Sequence, residues 1–448
     1  MKPVEPFPLE VQKRDGRVVP FDQNRITNAI YKAAASLGGH DKRRARQISD
    51  EVVYTLFHQF PVGTTPSVED IQDIVERILI ENGHASTAKA FILYRDYRTR
   101  ERQRIKRQKS MLLPYPLMYE ALRWNTVHGC DTIAGLNAII RSGDLPSLVG
   151  EADDHYNESI EKAADTILDI HEKIRLIIIA GPSSSGKSTT TAKLAQALTD
   201  RGLKTTLLNL DHYFFNLEDH PRDEFGDYDF ETPEALDLNL INQHLKALIA
   251  GETIRTPRYD FKVGKRYPDG KTVRIAEDEL ILLDTLHGLY PQMTADIDEE
   301  TKFKLYIETI SQIRDQSDRF VRWTDIRLLR RMVRDASQRG YAPLQTVGHW
   351  HYVRRSELKH IIPHVGSVDF QINGSLPYDL PVLKQVIDPY FGEIIAALSK
   401  QSEREDALIR ARRVHGLLNQ VDPFGDLNII PDTSLVREFI GGSRYSLH

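Results

Sequence analysis

Residues 177–190 read "IIIAGPSSSGKSTT", and this stretch decides the fold. An apolar run leads into a Gly/Ser-rich turn, Gly181-x-x-x-x-Gly186-Lys187-Ser188, and helix-forming residues follow. Glycines let backbone N–H groups point inward at phosphates, and a helix beginning there adds its positive N-terminal end. In such a loop the lysine reaches the β- and γ-phosphates and the following hydroxyl holds Mg²⁺. Gly181, Ser183, Ser184, Ser185, Gly186, Lys187, Ser188 and Thr189 are therefore expected around the phosphates of a nucleotide such as ATP. The motif recurs by chance in unrelated chains, but here the strand before it and the helix after it are both present. The loop alone leaves open what receives the terminal phosphate.

Outward from the loop, strand-like and helix-like segments alternate. "IRLIIIA", "LKTTLLNLD" and "DELILLD" read as strands, and "TTAKLAQALTDRG" as a helix. This alternation predicts an α/β fold, a mostly parallel sheet covered by helices. Asp284 closes an apolar run in "ELILLDTLHGLY", where a carboxylate completes a Mg²⁺ shell with Ser188; a strand-terminal Asp can also simply cap a helix. Asp211 in "TTLLNLDHYFFN" stands where open α/β sheets gather their active sites. A carboxylate there can orient a substrate hydroxyl and accept its proton. Two Tyr-Asp-Phe triplets follow, at 228–230 and 259–261. Rings beside acids suit a planar, hydroxylated ligand, and equally a plain core. Arg327, Arg331 and Arg334 are spaced by four and three, which collects positive charge on one helical face, either solvated or clamping a phosphate.

Residues 9–100 read as a separate, mainly helical unit. "EVQKRDGRVVPF" carries a hairpin signal at Asp15-Gly16, and "DQNRITNAIYKAAASLG" and "SVEDIQDIVERILIENG" have helical spacing. Residues 101–165 read as a helical linker, its basic "ERQRIKRQK" as a solvated helix end, and residues 166–448 as the P-loop domain. A chain of 448 residues is too long for one ordinary core. The formal net charge of −5 gives no push toward nucleic acid or an anionic membrane. Cys130 is the only cysteine, which excludes an intrachain disulfide and a cysteine-based zinc site. The N-terminal residues lack the apolar core of a signal peptide, and no apolar run is long enough to span a bilayer. A cytoplasmic location is expected.

The ordered series GPSSSGKST, LDHYF, GDYDFETPEALD, TPRYDF and DIRLLRRMVRDASQRG resembles the uridine kinase and phosphoribulokinase family of P-loop kinases. "VGKR", "HGLYP", "RRMVRDASQRGYAPLQTVGHW" and "PDTSLVREFIGGS" resemble the long uridine-kinase-like proteins that usually carry a TGS domain. The resemblance implies Asp211 as catalytic base, with Phe230, Glu231, Tyr259 and Phe261 around a nucleoside. It also implies that Arg331, Arg334 and Arg339 reach the phosphates or close over the acceptor. Three positions depart from the family pattern. Asp284-Thr285-Leu286 replaces Glu-Gly-Ile, Gly264 stands where a base-contacting histidine is usual, and Tyr341 replaces an arginine. His287 and His349 are candidate substitutes for the histidine.

"VQKRDGRVVPFDQNRITNAIYKAA", "PSVEDIQDIVERIL" and "AKAFILYRDYR" resemble the ATP-cone, a small regulatory domain known from ribonucleotide reductases. That resemblance implies a second nucleotide at Lys13, Arg14 and Arg25, sensing of ATP against dATP, and a homo-oligomer. Three readings stand. The first is a Mg²⁺- and ATP-dependent nucleoside kinase acting on a ribose 5′-hydroxyl. The second is a kinase of a phosphorylated sugar or sugar acid. The third is a nucleotide-sensing protein whose kinase site is weak or idle.

Overall fold

The computed structural model describes residues 10–12, 18–60, 64–92, 114–221, 231–260, 263–401 and 404–445. Lys13, Arg14, Phe230, Phe261 and the basic run 101–109 lie outside them. The chain divides into two compact units, residues 1–109 and 110–448.

In the first unit, β1 (Glu10–Gln12) and β2 (Val18–Pro20) pair antiparallel. Three helices follow, α1 (Gln23–Ala35), α2 (Lys42–Gln59) and α3 (Val68–Glu81). Each starts at the residue its sequence marks. Asp22 and Asp41 cap α1 and α2, and Ser67 forms a capping box with Asp70 at α3. Ile26, Ile30, Val52, Leu56, Ile74 and Leu79 meet in a small core of their own. Arg25 stays exposed on the first turn of α1, 3.6 Å from Asp22.

The second unit is built on five parallel strands in the order β11-β10-β3-β9-β4: β3 (Leu176–Ala180), β4 (Lys204–Asn209), β9 (Glu279–Asp284), β10 (Lys302–Glu308) and β11 (Phe370–Asn373). Four short strands lie outside this sheet. β5 (Ile254–Arg255) pairs with β8 (Thr272–Val273), and β6 (Arg258–Asp260) with β7 (Lys265–Tyr267). β3 carries apolar residues at every position because both of its faces are covered. Ile177 and Ile179 face one core, Leu176, Ile178 and Ala180 the other, as the two-residue period of a strand requires.

The first of these cores is closed by α4 (Tyr115–Val127), α5 (Ile133–Ser142), α6 (Leu145–Ile170) and α7 (Lys187–Asp200). The stretch read from sequence as a linker thus contributes Leu136, Leu148, Val149, Tyr156 and Ala163 to the interior beside β3. The second core is closed by α8 (Leu238–Ile249). A third cluster joins α9 (Trp323–Arg334), α10 (Pro343–Ser356), α11 (Asp379–Ile387), α12 (Phe391–Leu398) and α13 (Glu405–Leu418). A final single turn, α14 (Arg437–Ile440), returns to the first core, where Leu435, Val436 and Phe439 are fully buried. No helix among the described residues is long and apolar enough to cross a membrane.

Candidate active site

β3 lies between β9 and β10, so the strand order reverses around it and a crevice opens beyond its carboxyl end. The glycine loop fills that crevice. Gly186 has φ +99° and Ser184 has φ +61°, the left-handed turns that curl the amides inward. Gly181 admits no side chain, since a Cβ there would stand 2.4 Å from the Ile307 carbonyl oxygen. The hydroxyls of Ser184 and Ser185 are buried and meet no hydrogen-bond partner among the described residues. Lys187 folds back, its Nζ donating to the Pro182 carbonyl at 3.2 Å. Burial lowers its pKa, with Asp284 acting against that shift. An anion in the loop would supply the missing counter-charge and acceptors.

The acids arrive from the two strands on one side of β3. Asn209 and Asp284 are register partners across β4 and β9, and Asp284 also pairs with Ile179 of β3. Asp211 follows Asn209 by two residues, its N–H donating to Asn209 Oδ1 at 2.9 Å. The Asp284 carboxyl is pushed up to about 7 by burial; Lys187 opposes the shift, and Asp211 and Glu438 reinforce it. The Ser188 hydroxyl hydrogen-bonds the same carboxylate. A hydroxyl and a carboxylate beside other acids form an all-oxygen donor set, which fits Mg²⁺. Ser188 and Asp284 are the residues that would hold it.

The arginines are sorted by their partners. Arg327, which the helical spacing groups with Arg331 and Arg334, is 1% exposed and paired with Glu308 at 3.0 Å and with Glu357. Arg330 is clamped by Asp379, at 2.9 and 2.7 Å. These two brace the loop from behind: Arg327 donates to the Ser183 carbonyl at 3.1 Å and Arg330 to the Ser185 carbonyl at 3.4 Å. Arg331 faces the site. Its Nη1 reaches Ser183 Oγ at 3.1 Å and Glu231 Oε1 at 2.8 Å, and its Nε lies 3.3 Å from Asp335. Arg334 and Arg339 each stand 3.8 Å from Asp335 Oδ1. Three guanidiniums therefore share one buried carboxylate. Burial, then repulsion from Arg339, lowers Arg334 to about 10.

Glu231, expected beside the acceptor, has its pKa held below the usual glutamate value against its burial because Arg331 adjoins it. Tyr259 is buried on β6, its N–H donating to His212 Nδ1 at 3.3 Å and its ring 5.6 Å from Phe214. Gly264 has φ +70° in the β6–β7 turn, and a Cβ there would stand 2.8 Å from Leu217 Cβ. That close approach gives a steric reason for glycine at the position where the resemblance implies a histidine. His287 is 3% exposed and lies beside Glu231 and 5.9 Å from the His360 ring. His349 sits on the exposed side of α10, edge-on to Tyr352.

Two further residues at the site, Asp335 and Glu438, are assigned no role by the motifs of the sequence. Asp335 stands among the arginines of "RRMVRDASQRG", and the acid inside that basic run is the clue that could have marked it. Glu438 contacts Thr189 from 249 positions away, and no local pattern points to it.

A parallel sheet with this loop at its central strand defines a P-loop kinase fold. Residues 176–377 match the Phosphoribulokinase / Uridine kinase family, and residues 9–100 match the ATP cone domain. The chain is 30% identical to the uridine kinase of Chloroflexus aurantiacus over 167 residues, 37% of this chain and 69% of that one. It is 31% identical to the uridine kinase of Halobacterium salinarum over 163 residues, 36% of this chain and 63% of that protein's length. It is 43% identical to the vitamin B12-dependent ribonucleoside-diphosphate reductase of Thermoplasma acidophilum over 108 residues, 23% of this chain and 13% of the reductase. The chain belongs to the phosphoribulokinase/uridine kinase family and carries an ATP-cone domain.

Proposed function

We propose that the protein is a Mg²⁺-dependent nucleoside kinase that transfers the γ-phosphoryl group of ATP to a ribose 5′-hydroxyl. The observation that carries this reading is the surplus of positive charge at the loop: Arg331, the buried Arg334 and the exposed Arg339 all lie around Asp335, and Arg331 also meets Glu231, so three guanidiniums face two carboxylates. Phosphoryl transfer is mainly positioning and charge stabilisation, and such a cluster is suited to the charge on the transferring oxygens. In this reading Asp211 aims the hydroxyl and takes its proton, Lys187 holds the β- and γ-phosphates, and Arg331 and Arg334 neutralise the moving group. Arg339 closes over the donor phosphates. Glu231 and Tyr259 surround the acceptor, together with Phe230 and Phe261. Mg²⁺ at Ser188 and Asp284 would supply further neutralisation of the phosphate charge.

The arginine surplus also favours a second acceptor class, a phosphorylated sugar or sugar acid, whose own anion would occupy part of the cluster. A screen of nucleosides and sugar phosphates for ATP-dependent product separates the two, with Asp211→Ala as control. Product from uridine or cytidine that vanishes in the variant supports the first reading. Product from sugar phosphates alone selects the second, and none from any acceptor points to a nucleotide-sensing role.

A second nucleotide at Lys13, Arg14 and Arg25 would let the ATP-cone set kinase activity according to the ATP and dATP pools. Differential affinity in two states is what such coupling requires. Lys13→Ala combined with Arg14→Ala then lowers nucleotide stoichiometry and abolishes the response to dATP. Unchanged stoichiometry and response would remove this part of the proposal.

A further inference from the structure

Helix α7 opens at Lys187 behind Gly186, so the amides of its first turn have no intrahelical acceptors. One of these amides is already engaged. The Thr189 N–H donates to Glu438 Oε2 at 3.0 Å, and the Thr189 hydroxyl donates to the same oxygen at 2.9 Å. Glu438 is 4% exposed. Burial of a carboxylate is costly without compensation, and here Thr189 supplies two hydrogen bonds.

The segment carrying Glu438 is held by other atoms. Ser434 Oγ bonds Asp153 at 3.1 Å and Tyr378 at 2.8 Å, and Gln338 Nε2 donates to the Glu438 carbonyl at 3.0 Å. Leu435 packs against Gly186, close enough that a Cβ on the glycine would stand 2.6 Å from Leu435 Cδ1. The backbone is therefore anchored without the carboxylate, so withdrawal of the Glu438 side chain would not require its helical turn to move.

A carboxylate at a helix N-terminus uses the same donors and the same positive end that a phosphate uses. In this kind of loop the amides cradle the α- and β-phosphates, and the lysine reaches the β and γ. Thr189 lies two residues past Lys187 and one past Ser188, at the end of the loop away from the transferred group. Its donor pair therefore suits the α-phosphate. The hydroxyls of Ser184 and Ser185, buried and unpartnered among the described residues, belong to the part of the loop that the Glu438 carboxylate does not hydrogen-bond.

We propose that Glu438 is an internal stand-in for the α-phosphate. It satisfies Thr189 while the loop holds no nucleotide, and its carboxylate must leave when a nucleoside triphosphate seats. The inference rests on the reading of the loop as the nucleotide-donor site. ATP affinity is then set by competition, because only the fraction of molecules with Glu438 withdrawn is competent to bind. Gln338 belongs to the turn between Arg334 and Arg339, so the contact that anchors Glu438 also adjoins the arginine cluster.

The test is ATP affinity of the full chain with Mg²⁺, by titration calorimetry, taking the part of the isotherm that Lys187→Ala removes. Removing a competitor comparable to a helix-capping hydrogen bond predicts roughly tenfold tighter ATP binding in Glu438→Gln. Glu438→Asp, which keeps the charge and withdraws it by one methylene, binds ATP tighter as well, and far-UV circular dichroism checks the fold of both variants. Equal or weaker ATP binding in both, with Lys187→Ala still abolishing that component, overturns the role of Glu438 and leaves the loop reading standing. ATP binding wholly indifferent to Lys187→Ala overturns the loop reading itself, and this inference with it.

Discussion

Arg331 and Glu231, 100 positions apart in the chain, meet at 2.8 Å, and the same Arg331 nitrogen reaches Ser183 Oγ at 3.1 Å. One guanidinium thus joins the α9 helix, the segment carrying Glu231 and the phosphate loop. Burial works against its charge, but Glu231 and Asp335 hold its pKa above the usual arginine value. It stays a cation, and its planar fork serves three partners at once.

Arg331→Ala is therefore expected to lower kcat by about 10²–10³, the size of losing one preorganised donor to a developing anion. Arg331→Lys keeps the charge but cannot reproduce the fork, so it recovers only a small part of the activity. Steady-state kinetics of both variants, with thermal melts to check folding, decide the point. Full activity in the lysine variant would mean that charge alone suffices there.

Asp211 stands two residues beyond the Asn209–Asp284 register pair. If it accepts the proton of the acceptor hydroxyl, Asp211→Asn lowers kcat by roughly 10²–10⁴ while ATP affinity stays near the wild-type value. Calorimetry and turnover measured on one preparation separate the two effects. A loss of ATP binding equal to the loss of turnover would place Asp211 on the donor side instead.

At Gly186 the backbone has φ +99° and the Leu435 side chain fills the space a methyl group would need. Gly186→Ala combines a strained dihedral with overpacking in a buried region, and each effect costs about 1–3 kcal/mol. Both stability and ATP binding should fall together, as read by urea unfolding and nucleotide titration. Retention of either would show that Leu435 can yield.

His287 is buried, and its pKa is pushed down to about 4 by desolvation, with Glu231 acting in the opposite direction. The unfolded chain takes up a proton at this side chain near pH 6.5, and the folded one resists until about pH 4. Stability from this residue is thus complete above pH 6.5 and lost progressively as the pH falls toward 4. Between pH 7.5 and 5 the loss is about 2 kcal/mol. Urea unfolding of wild type and His287→Gln at the two pH values should show a gap in favour of wild type that narrows by this amount. A gap independent of pH would mean that the imidazole is not held neutral.

Much of the site was written locally. Residues 177–190 announce a buried strand, a tight turn and a helix in direct succession, and all three form there. Asp284 closes an apolar run and does end β9. Capping residues mark where the helices of the first unit start, because a short polar side chain satisfies the amides next to it. β10 and β11 were harder to see, since "KFKLYIE" mixes lysines with apolar residues and "FQIN" is only four residues long. The stretch 115–165 carries little signal because it has no motif. Its apolar residues count only against β3 and α7, which come later in the chain.

The sequence by itself determined the phosphate loop, the α/β alternation around it, the two acids at strand ends and the arginine-rich helix. Each is a pattern of neighbours, set by the periods of helix and strand. Only the tertiary structure decided which arginines keep charge available for an anion. Arg327 and Arg331 share a helical face, yet Glu308 and Glu357 enclose the first in a buried ion pair, while the second reaches Glu231, the Ser183 hydroxyl and an Asp335 carboxylate shared with Arg334 and Arg339. Only the tertiary structure brought Glu438 to Thr189. A contact between residues 249 positions apart has no spacing to read, because it exists only once the closing turn of the chain packs beneath the helix that the loop begins.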